Sequence, residues 1–243
     1  MQDLELMKKM REPIIKWYQE NKRDLPWRKE KNPYYIWISE IMLQQTRIEA
    51  VIAYYERFLK NLPTIQDLAQ VDEEKLLKLW EGLGYYNRAR NLKKAAQIVQ
   101  EKYNGKMPKH YEELLELPGI GEYTAGAIAS IAYNEQVPAV DGNVLRVVSR
   151  VLGSKKDVLE AKTKKEFTLK LQEIMPKQAG DFNEGLMELR RTNLFAKWRT
   201  SLRGMSFAEN LYSERGKFDG FYSCAKGENQ KKKRAKNGVF IRI

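Results

Sequence analysis

Cysteine is nearly absent from this 243-residue sequence, which holds only Cys224. One cysteine cannot build a disulfide framework or an all-cysteine metal site. No apolar run approaches the roughly 18 residues of a membrane-spanning helix. The N-terminal segment alternates charged and apolar residues and lacks the apolar stretch of a signal peptide. We therefore expect a protein of the reducing cytoplasm that does not span a membrane.

Acidic residues are scarce only near the end of the chain. Residues 190–243 hold 14 Lys and Arg against 4 Asp and Glu, whereas residues 1–189 hold 30 against 28. The overall charge of +12 thus divides into +10 for the final segment and +2 for everything before it. A basic balance suggests a nucleic-acid partner, but for residues 1–189 that inference must come from local motifs.

Alternating strand patterns are also rare, and the apolar residues follow a helical period. Leu4, Met7 and Ile14 begin a series in which apolar side chains recur every three or four positions. Turn signals such as DLPW, NLPT and LPGIG separate these segments. Thr64 and Asp72 are predicted helix N-caps. The sequence predicts an all-α fold of about ten helices, since most segments have helical length.

The segment ELPGIGEYTAGAIASIA, which begins at Glu116, predicts a helix-hairpin-helix over residues 112–132. Gly119 and Gly121 allow a sharp turn and a close backbone approach to a ligand. Ile120 can anchor the turn in the core. The unpaired N–H groups at the start of the next helix suit a DNA phosphate. The alternative is a plain connection between two helices with a glycine at the helix end.

Four further segments extend this pattern: DLPWR from Asp24, WISEIMLQQTRIEAV from Trp37, LWEGLGYYNRARNLKKAA from Leu79 and VPAVDGNVLRV from Val137. Together with the hairpin, they resemble the A/G-specific adenine DNA glycosylases of the helix-hairpin-helix superfamily. The resemblance runs from about Leu6 to Leu189 and is specific because all five segments occur together.

The resemblance implies a two-lobed helix-hairpin-helix DNA glycosylase fold. Residues 25–135 would form a six-helix lobe, and residues 1–24 with 136–189 would form the second lobe. It also implies a monofunctional enzyme of base excision repair. Its substrate would be double-stranded DNA in which adenine lies opposite 8-oxoguanine or guanine, and it would act as a monomer.

Two carboxylates can perform the chemistry of N-glycosidic bond cleavage: one protonates the leaving base and one stabilises a cationic sugar. Glu40 lies among apolar neighbours on a predicted helix, Tyr34–Thr46, so burial should raise its pKa. The alternative is an ordinary exposed glutamate. Asp141 is a predicted N-cap of a helix that begins near Val144, and a capping role is compatible with catalysis. By resemblance, Glu40 protonates adenine N7 and Asp141 stabilises the oxocarbenium-like sugar.

Tyr123 distinguishes two reaction types within the superfamily. By resemblance, the bifunctional glycosylase/lyases carry a Schiff-base lysine at this place, whereas a phenol cannot form an imine. The alternative is a tyrosine that only packs at a helix start. By resemblance, Asn143 helps to orient the site, and Trp27, Arg28 and Glu184 form the adenine pocket. Trp27 taken alone would more often be a core residue.

By resemblance, the DNA-contacting residues are Gln44, Gln45, Thr46, Tyr85, Arg88, Arg90, Leu117, Gly119, Ile120, Gly121 and Thr124. Tyr85 would act as a wedge beside the lesion base. Taken alone, Tyr85 would more often be core, and the basic residues around Arg88 could form a solvated face. A non-catalytic DNA-binding remnant, a glycosylase/lyase for oxidised pyrimidines and a misfolded product remain alternatives.

The resemblance stops at Leu189. The family continues with four cysteines that bind a [4Fe–4S] cluster and with a domain that recognises 8-oxoguanine. Because Cys224 alone cannot ligate such a cluster, we expect neither a cluster nor any other metal in this chain.

A reverse translation of residues 190–212 offers one interpretation of this break. Read one base out of frame, permitted synonymous codons yield GEQICLPNGEPLCEECP followed by LQKICIA, which together contain four cysteines. A basic stretch follows in the same frame. We therefore hypothesise a single-base insertion near codon 190 and a poorly ordered tail over residues 190–243. The alternative is a divergent lineage with a basic replacement tail.

Sequencing of the source DNA across codons 180–243 tests this hypothesis. An extra base near codon 190 is the expected result, and its removal should restore a longer frame with four cysteines. A gene without any in-frame cysteine string in the shifted frame would rule the hypothesis out.

Overall fold

The computed structural model describes residues 2–189, and all regular structure in this part of the chain is helical. It comprises twelve α-helices and one 3-10 turn: α1 Gln2–Lys9, α2 Arg11–Asn21, the 3-10 turn Pro26–Arg28, α3 Pro33–Leu43, α4 Ile48–Asn61, α5 Ile65–Gln70, α6 Glu73–Trp80, α7 Asn87–Lys102, α8 Tyr111–Leu115, α9 Glu122–Tyr133, α10 Gly142–Val151, α11 Ala161–Glu173 and α12 Ala179–Leu189. The predicted all-α class is confirmed, and none of these helices is long and apolar enough to cross a membrane.

Local side-chain caps account for several helix starts. Thr64 Oγ1 accepts a hydrogen bond from the Asp67 N–H at 3.1 Å, and Asp67 Oδ2 accepts one from the Thr64 N–H at 3.0 Å. This reciprocal pair satisfies two N–H groups that a helix start otherwise leaves free. Asp72 Oδ2 accepts from the Glu74 N–H at 2.8 Å. The predicted N-caps at Thr64 and Asp72 are therefore confirmed.

Helix α3 ends earlier than its sequence predicts. The expected helix ran to Thr46, whereas α3 ends at Leu43. Gln45 adopts a left-handed conformation with φ of 61°, which cannot continue a right-handed helix. The Thr46 N–H instead donates to the Leu43 carbonyl at 3.3 Å and closes a turn. Gln44 to Thr46 therefore lie in a loop, and the prediction of a helix through Thr46 is wrong.

Helix α9 lies between α3 and α12, and this packing organises the described part of the chain. Helix α3 packs against α4 and α9, and α12 packs against α2, α9 and α10. The main hydrophobic core is built from residues between Leu25 and Ala139, and α3 lies within it. The predicted lobe boundaries stay predictions, and the tail over residues 190–243 lies outside the described residues.

Small residues permit a close approach around α9. A Cβ atom on Gly126 would overlap the backbone carbonyl oxygen of Pro138, and one on Gly180 would lie 2.9 Å from the carbonyl oxygen of Ser130. Backbone atoms cannot move away as the end of a side chain can. The approach of α9 to α12 and to the segment before α10 therefore requires glycine at these positions.

The buried amide of Asn183 fixes the segment that leads to α10. Its Nδ2 donates to Ser130 Oγ at 2.8 Å and to the Val137 carbonyl at 3.0 Å. Its Oδ1 accepts from the Ala139 N–H at 3.2 Å. These three bonds use both amide hydrogens and the carbonyl oxygen, as a buried polar group requires. They hold α9, α12 and residues 137–139 together.

The Gly126→Ala substitution should destabilise the protein. The new methyl group meets a backbone carbonyl, and overpacking of this kind costs about 1–3 kcal/mol. Urea unfolding followed by circular dichroism would measure the loss in free energy of unfolding.

The control is Gly121→Ala, because a Cβ atom on Gly121 meets nothing within 4 Å and its φ of −97° suits any residue. This variant should stay within about 0.5 kcal/mol of the parent. Equal losses in the two variants would contradict the packing analysis.

Candidate active site

Glu40 is a buried carboxyl group near the C-terminal end of α3. Its residue is 8% exposed. Burial raises the pKa of Glu40 to about 7, while contact with the Tyr123 hydroxyl lowers it; the charges of Glu184 and Asp141 raise it further, and that of Arg28 lowers it. The predicted burial is confirmed. A carboxyl group with this pKa retains a proton near neutral pH, as a general acid must.

Asp141 lies at the N-terminus of α10, where its side chain is held by three donors. Oδ1 accepts from the N–H groups of Asn143 and Val144, each at 2.8 Å. Oδ2 accepts from Asn143 Nδ2 at 2.5 Å. The predicted N-cap is confirmed, and the structure also brings the predicted pair Asp141 and Asn143 into direct contact. This fixed carboxyl group is one of the charges that act on Glu40.

Tyr123 lies at the start of α9, where several acidic groups act on its hydroxyl. Burial raises the pKa of Tyr123 well above its ordinary value, and the nearby charges of Glu40, Asp141 and Glu184 raise it further. The hydroxyl therefore stays protonated. It donates to Met187 Sδ at 3.5 Å, a long contact to a weak acceptor. The side chain provides a neutral donor and no amine.

Arg28 and Glu184, both predicted pocket residues, form an ion pair. Arg28 Nε donates to Glu184 Oε1 at 2.8 Å, and Arg28 Nη1 donates to Glu188 Oε1 at 3.0 Å. Burial raises the pKa of Glu184, while the Arg28 charge opposes this. Burial acts to lower the pKa of Arg28, but its carboxylate partners outweigh burial and raise it. The guanidinium thus remains charged beside Glu40.

Two charged residues that the sequence analysis missed complete this network. Glu188 accepts from Arg23 Nε at 2.6 Å and from Arg23 Nη2 at 2.5 Å, a bidentate pair. Burial acts to raise the pKa of Glu188, but the two arginines lower it. The role of Glu188 could have been predicted from its spacing to Glu184, since residues four apart lie on the same face of a helix. Two arginines and two glutamates therefore neutralise one another in this part of the site.

Trp27 packs inside the core. Its ring makes an edge contact with Tyr55, with centroids 5.3 Å apart, and the residue is 7% exposed. This packing agrees with the alternative that Trp27 is a core residue. A stacking contact with adenine stays a prediction.

Two loops present the predicted DNA probes: the α3–α4 loop, residues 44–47, and the α6–α7 loop, residues 81–86. Gln45 is exposed at a φ of 61°, and Tyr85 is 64% exposed at a φ of 49°. A cavity of about 360 Å³ between the loops is lined by Gln44, Gln45, Tyr85, Tyr86, Asn87 and Arg88. The structure brings these two predicted segments together, and the alternative of Tyr85 as a core residue is wrong.

Arg88 and Arg90 are placed differently from one another. The Arg88 guanidinium donates to four backbone carbonyls, one in the last turn of α3 and three in the two loops. This geometry occupies its terminal nitrogens, so a direct contact of Arg88 with DNA stays a prediction. Arg90 is partly exposed and pairs with Glu73 at 2.8 Å. Its contact with DNA stays a prediction.

The hairpin joins α8 to α9, as its sequence predicts, and α8 ends at Leu115. Gly119 adopts a φ of 81°, and a Cβ atom there would lie 2.8 Å from Asn91 Cβ, whereas Gly121 has an ordinary φ. The predicted burial of Ile120 is confirmed. One glycine, not two, makes the sharp turn.

The side chains of Leu117 and Thr124 face inward. Leu117 is buried, and Thr124 is 3% exposed on the packed side of α9. The buried hydroxyl is turned away from solvent, so a contact of Thr124 with DNA would use its backbone N–H at the start of α9. This contact stays a prediction.

The described residues do not fit an iron–sulfur cluster. Such a cluster needs four thiolates. Cys224 is the one cysteine of the chain and lies outside residues 2–189, which hold no group of three or more potential metal-ligating side chains.

Comparison with known families identifies the chain's relationship. Residues 38–177 match the sequence profile of the HhH-GPD superfamily base excision DNA repair proteins. The chain is similar to the adenine DNA glycosylase of Arabidopsis thaliana, with 43% identity over 211 residues that cover 76% of this chain and 33% of the relative. The adenine DNA glycosylase of Homo sapiens is 43% identical over 189 residues, which cover 74% of this chain and 35% of the human protein.

Solved structures show the same fold. A thermostable thymine-DNA glycosylase superimposes with a TM-score of 0.68 at 28% identity, over 78% of this chain and 86% of that one. Endonuclease III in a non-covalent DNA complex gives a TM-score of 0.65 at 26% identity, over 79% of this chain and 87% of that one. This chain spans about a third to a half of the curated adenine glycosylases, since it covers 51% of the one from Buchnera aphidicola subsp. Acyrthosiphon pisum. The match over more than half of its length shows that the chain belongs to the HhH-GPD superfamily of base excision DNA repair proteins.

Proposed function

We propose that this chain is a monofunctional adenine DNA glycosylase, which hydrolyses the N-glycosidic bond of adenine opposite 8-oxoguanine or guanine. The observation that carries the proposal is the buried carboxyl group of Glu40, whose pKa is raised to about 7. The choice of adenine rests on the similarity to adenine DNA glycosylases at 43% identity. The proposed working form is a monomer on double-stranded DNA in the cytoplasm.

In the proposed reaction, Glu40 donates its proton to N7 of the extruded adenine. The C1′–N9 bond then breaks, and its electron pair leaves with the neutral base. Proton donation by a placed acid contributes typically about 10²–10⁴-fold to a rate. The sugar acquires oxocarbenium character, which the carboxylate of Asp141 stabilises electrostatically.

Water completes the proposed reaction. It adds to C1′ and returns its proton to Glu40, which by then is a carboxylate able to act as a base. Asn143 supports the stabilisation of the sugar cation, because its Nδ2 holds Asp141 Oδ2 at 2.5 Å. Arg28 and Glu184 present a donor fork and an acceptor to the purine, and their 2.8 Å ion pair keeps both groups in place.

Tyr123 supports a reaction that ends at the abasic site. A lyase would need an amine to attack C1′ and form an imine. The phenol of Tyr123 is protonated and cannot do so, because burial and the adjacent carboxyl groups raise its pKa. The proposed product is free adenine and an intact strand with an abasic site. A lysine-dependent lyase is disfavoured at this position.

The proposed DNA contacts come from three places: the hairpin, the α3–α4 loop and the α6–α7 loop. The start of α9 offers free N–H groups to a phosphate. Tyr85 is 64% exposed and can enter the stack when adenine leaves it.

Glu40→Gln should remove activity on a duplex with a single A·8-oxoguanine pair. Glutamine fills a similar volume but donates no acid proton, so the single-turnover rate should fall about 10²–10⁴-fold. Base release is scored as alkali-sensitive abasic sites, and strand breaks without alkali are scored separately.

Glu56→Gln is the matched control, because Glu56 is an exposed glutamate on α4. Its rate should match the parent's. Parent protein that binds the duplex without releasing adenine would instead indicate a non-catalytic DNA-binding protein. Strand breaks before alkali, together with a borohydride-trapped complex, would indicate a lyase.

The parent's kcat/KM should fall as pH rises above about 7. Only protonated Glu40 can act as the acid, and its pKa in the free enzyme is about 7. The rate should therefore be retained below that pH and decline toward about tenfold per pH unit well above it. Second-order rate constants, measured at limiting duplex concentration from pH 5.5 to 9 and at constant ionic strength, give this profile.

The same proton links pH to stability. Because the folded pKa of Glu40 is raised from 4.5 to about 7, the folded state binds more protons than the unfolded state across that window. The parent should lose stability relative to Glu40→Gln as pH rises from 4.5 to 7, with no further change above. A constant stability difference between the two proteins would contradict the raised pKa.

A further inference from the structure

The Arg88 guanidinium lies between the α3–α4 loop and the α6–α7 loop. Arg88 is in the first turn of α7, directly after the second of these loops. Its Nη1 donates to the carbonyls of Ile41 at 2.8 Å and Gln44 at 2.7 Å. Its Nη2 donates to the carbonyls of Leu83 at 3.0 Å and Gly84 at 3.3 Å. Each terminal nitrogen thus serves a different segment of the chain.

This arrangement uses a property that only arginine has. A planar guanidinium carries two hydrogens on each terminal nitrogen, and here all four point to carbonyl oxygens. A lysine ammonium is a single nitrogen with three hydrogens and cannot reach acceptors on two opposite sides. The buried Nε of Arg88 has no hydrogen-bond partner among the described residues.

The Ile41 and Gln44 carbonyls belong to the C-terminal end of α3. The last carbonyls of a helix lack partners within the helix and form the negative end of its dipole. A cation placed there donates hydrogen bonds to these carbonyls and balances the negative end of the dipole. Because Glu40 lies in this last turn, Arg88 also fixes the end of the helix that carries the acidic group.

Both loops hold conformations that need external support. Gln45 and Tyr85 have φ values of 61° and 49°, which non-glycine residues seldom adopt. Such residues persist when their surroundings fix them. The Arg88 guanidinium also lies against the Tyr85 ring, with its Cζ atom 5.4 Å from the ring centroid, and against the Trp80 ring at 5.6 Å. Arg88 thus contacts α3, both loops and the Tyr85 ring.

We propose that Arg88 is a positioning residue that makes the α3–α4 loop and the α6–α7 loop a single mechanical unit, so that Gln45 and Tyr85 engage DNA together. The engagement of DNA rests on the proposed function, whereas the coupling of the loops does not. Arg88 touches neither base nor sugar in this proposal and acts through the loops.

Amide hydrogen exchange in the free protein tests the coupling. Each loop contains a protected reporter: the Thr46 N–H bonds to Leu43 O at 3.3 Å, and the Leu83 N–H bonds to Trp80 O at 3.1 Å. In Arg88→Lys, both reporters should exchange at least about tenfold faster, while amides of α9 stay unchanged, because local units open independently of the global fold. Acceleration of only one reporter, or of neither, would overturn the proposal.

Arg57→Lys is the matched control. Arg57 lies on α4, donates from Nη2 to the Leu79 carbonyl at 3.1 Å, and lies over the Tyr54 ring at 4.9 Å. It offers the same chemistry without joining the two loops, so both reporters should change by less than about twofold. Equal acceleration in the two variants would show a general effect of losing an arginine.

A measurement on the parent keeps the test decisive if Arg88→Lys does not fold. The Thr46 and Leu83 amides should share one opening free energy and one dependence on low urea concentrations, as amides of one cooperative unit do. Distinct urea slopes for the two amides would overturn the proposal.

DNA binding tests the consequence for function. Affinity for a duplex with one A·8-oxoguanine pair is measured in the Glu40→Gln background, which prevents turnover. Arg88→Lys should weaken binding about tenfold, and Tyr85→Ala added to it should weaken binding little further, because coupled residues are not additive. Full additivity would overturn the proposal. Absence of DNA binding in the parent would instead count against the proposed function, since the exchange result stands without DNA.

Discussion

The close packing of α9 between α3 and α12 is the constraint on which the site depends. Helix α3 carries Glu40, the start of α9 carries Tyr123, and α12 carries Glu184. Gly180 lets α12 approach α9 closely, and Gly126 lets α9 approach the segment that leads to Asp141. A hydrogen-bonded amide, Asn183, ties α9 and α12 to the same segment. The geometry of the proposed active site thus depends in part on small residues that have no proposed role in the reaction.

Burial acts in the same direction on the two acidic parts of the site, but the neighbouring charges give opposite results. Among the described residues no cation forms an ion pair with Glu40, so desolvation dominates and its proton is retained near neutral pH. Glu188 is also buried, but bidentate pairing with Arg23 and a contact to Arg28 lower its pKa. A proton donor and a permanently charged scaffold can therefore lie in the same interior. The positions of the two arginines decide which carboxyl group keeps its proton and which one stays charged.

The sequence predicts those features whose causes are local. The caps at Thr64, Asp72 and Asp141 follow from one side chain and the next few amides, and the burial of Glu40 follows from its apolar neighbours. The inward direction of Thr124 and the helix end at Leu43 depend on which neighbours pack against them. The use of Arg88 is harder still to predict, because its acceptors are backbone carbonyls that any sequence would supply. Glu188 gained its role from Arg23, far away along the chain.

The ion pairs of the site also bear on how the protein assembles. Arg28 and Glu184 are separated by 156 positions, and Arg23 and Glu188 by 165. Contacts of such high sequence separation form late because a long loop must close first. During synthesis, α2 and the 3-10 turn leave the ribosome long before α12 exists. The nascent chain must therefore carry two uncompensated arginines until its last described helix arrives, and the acidic face of α12 completes both the charge balance and the fold.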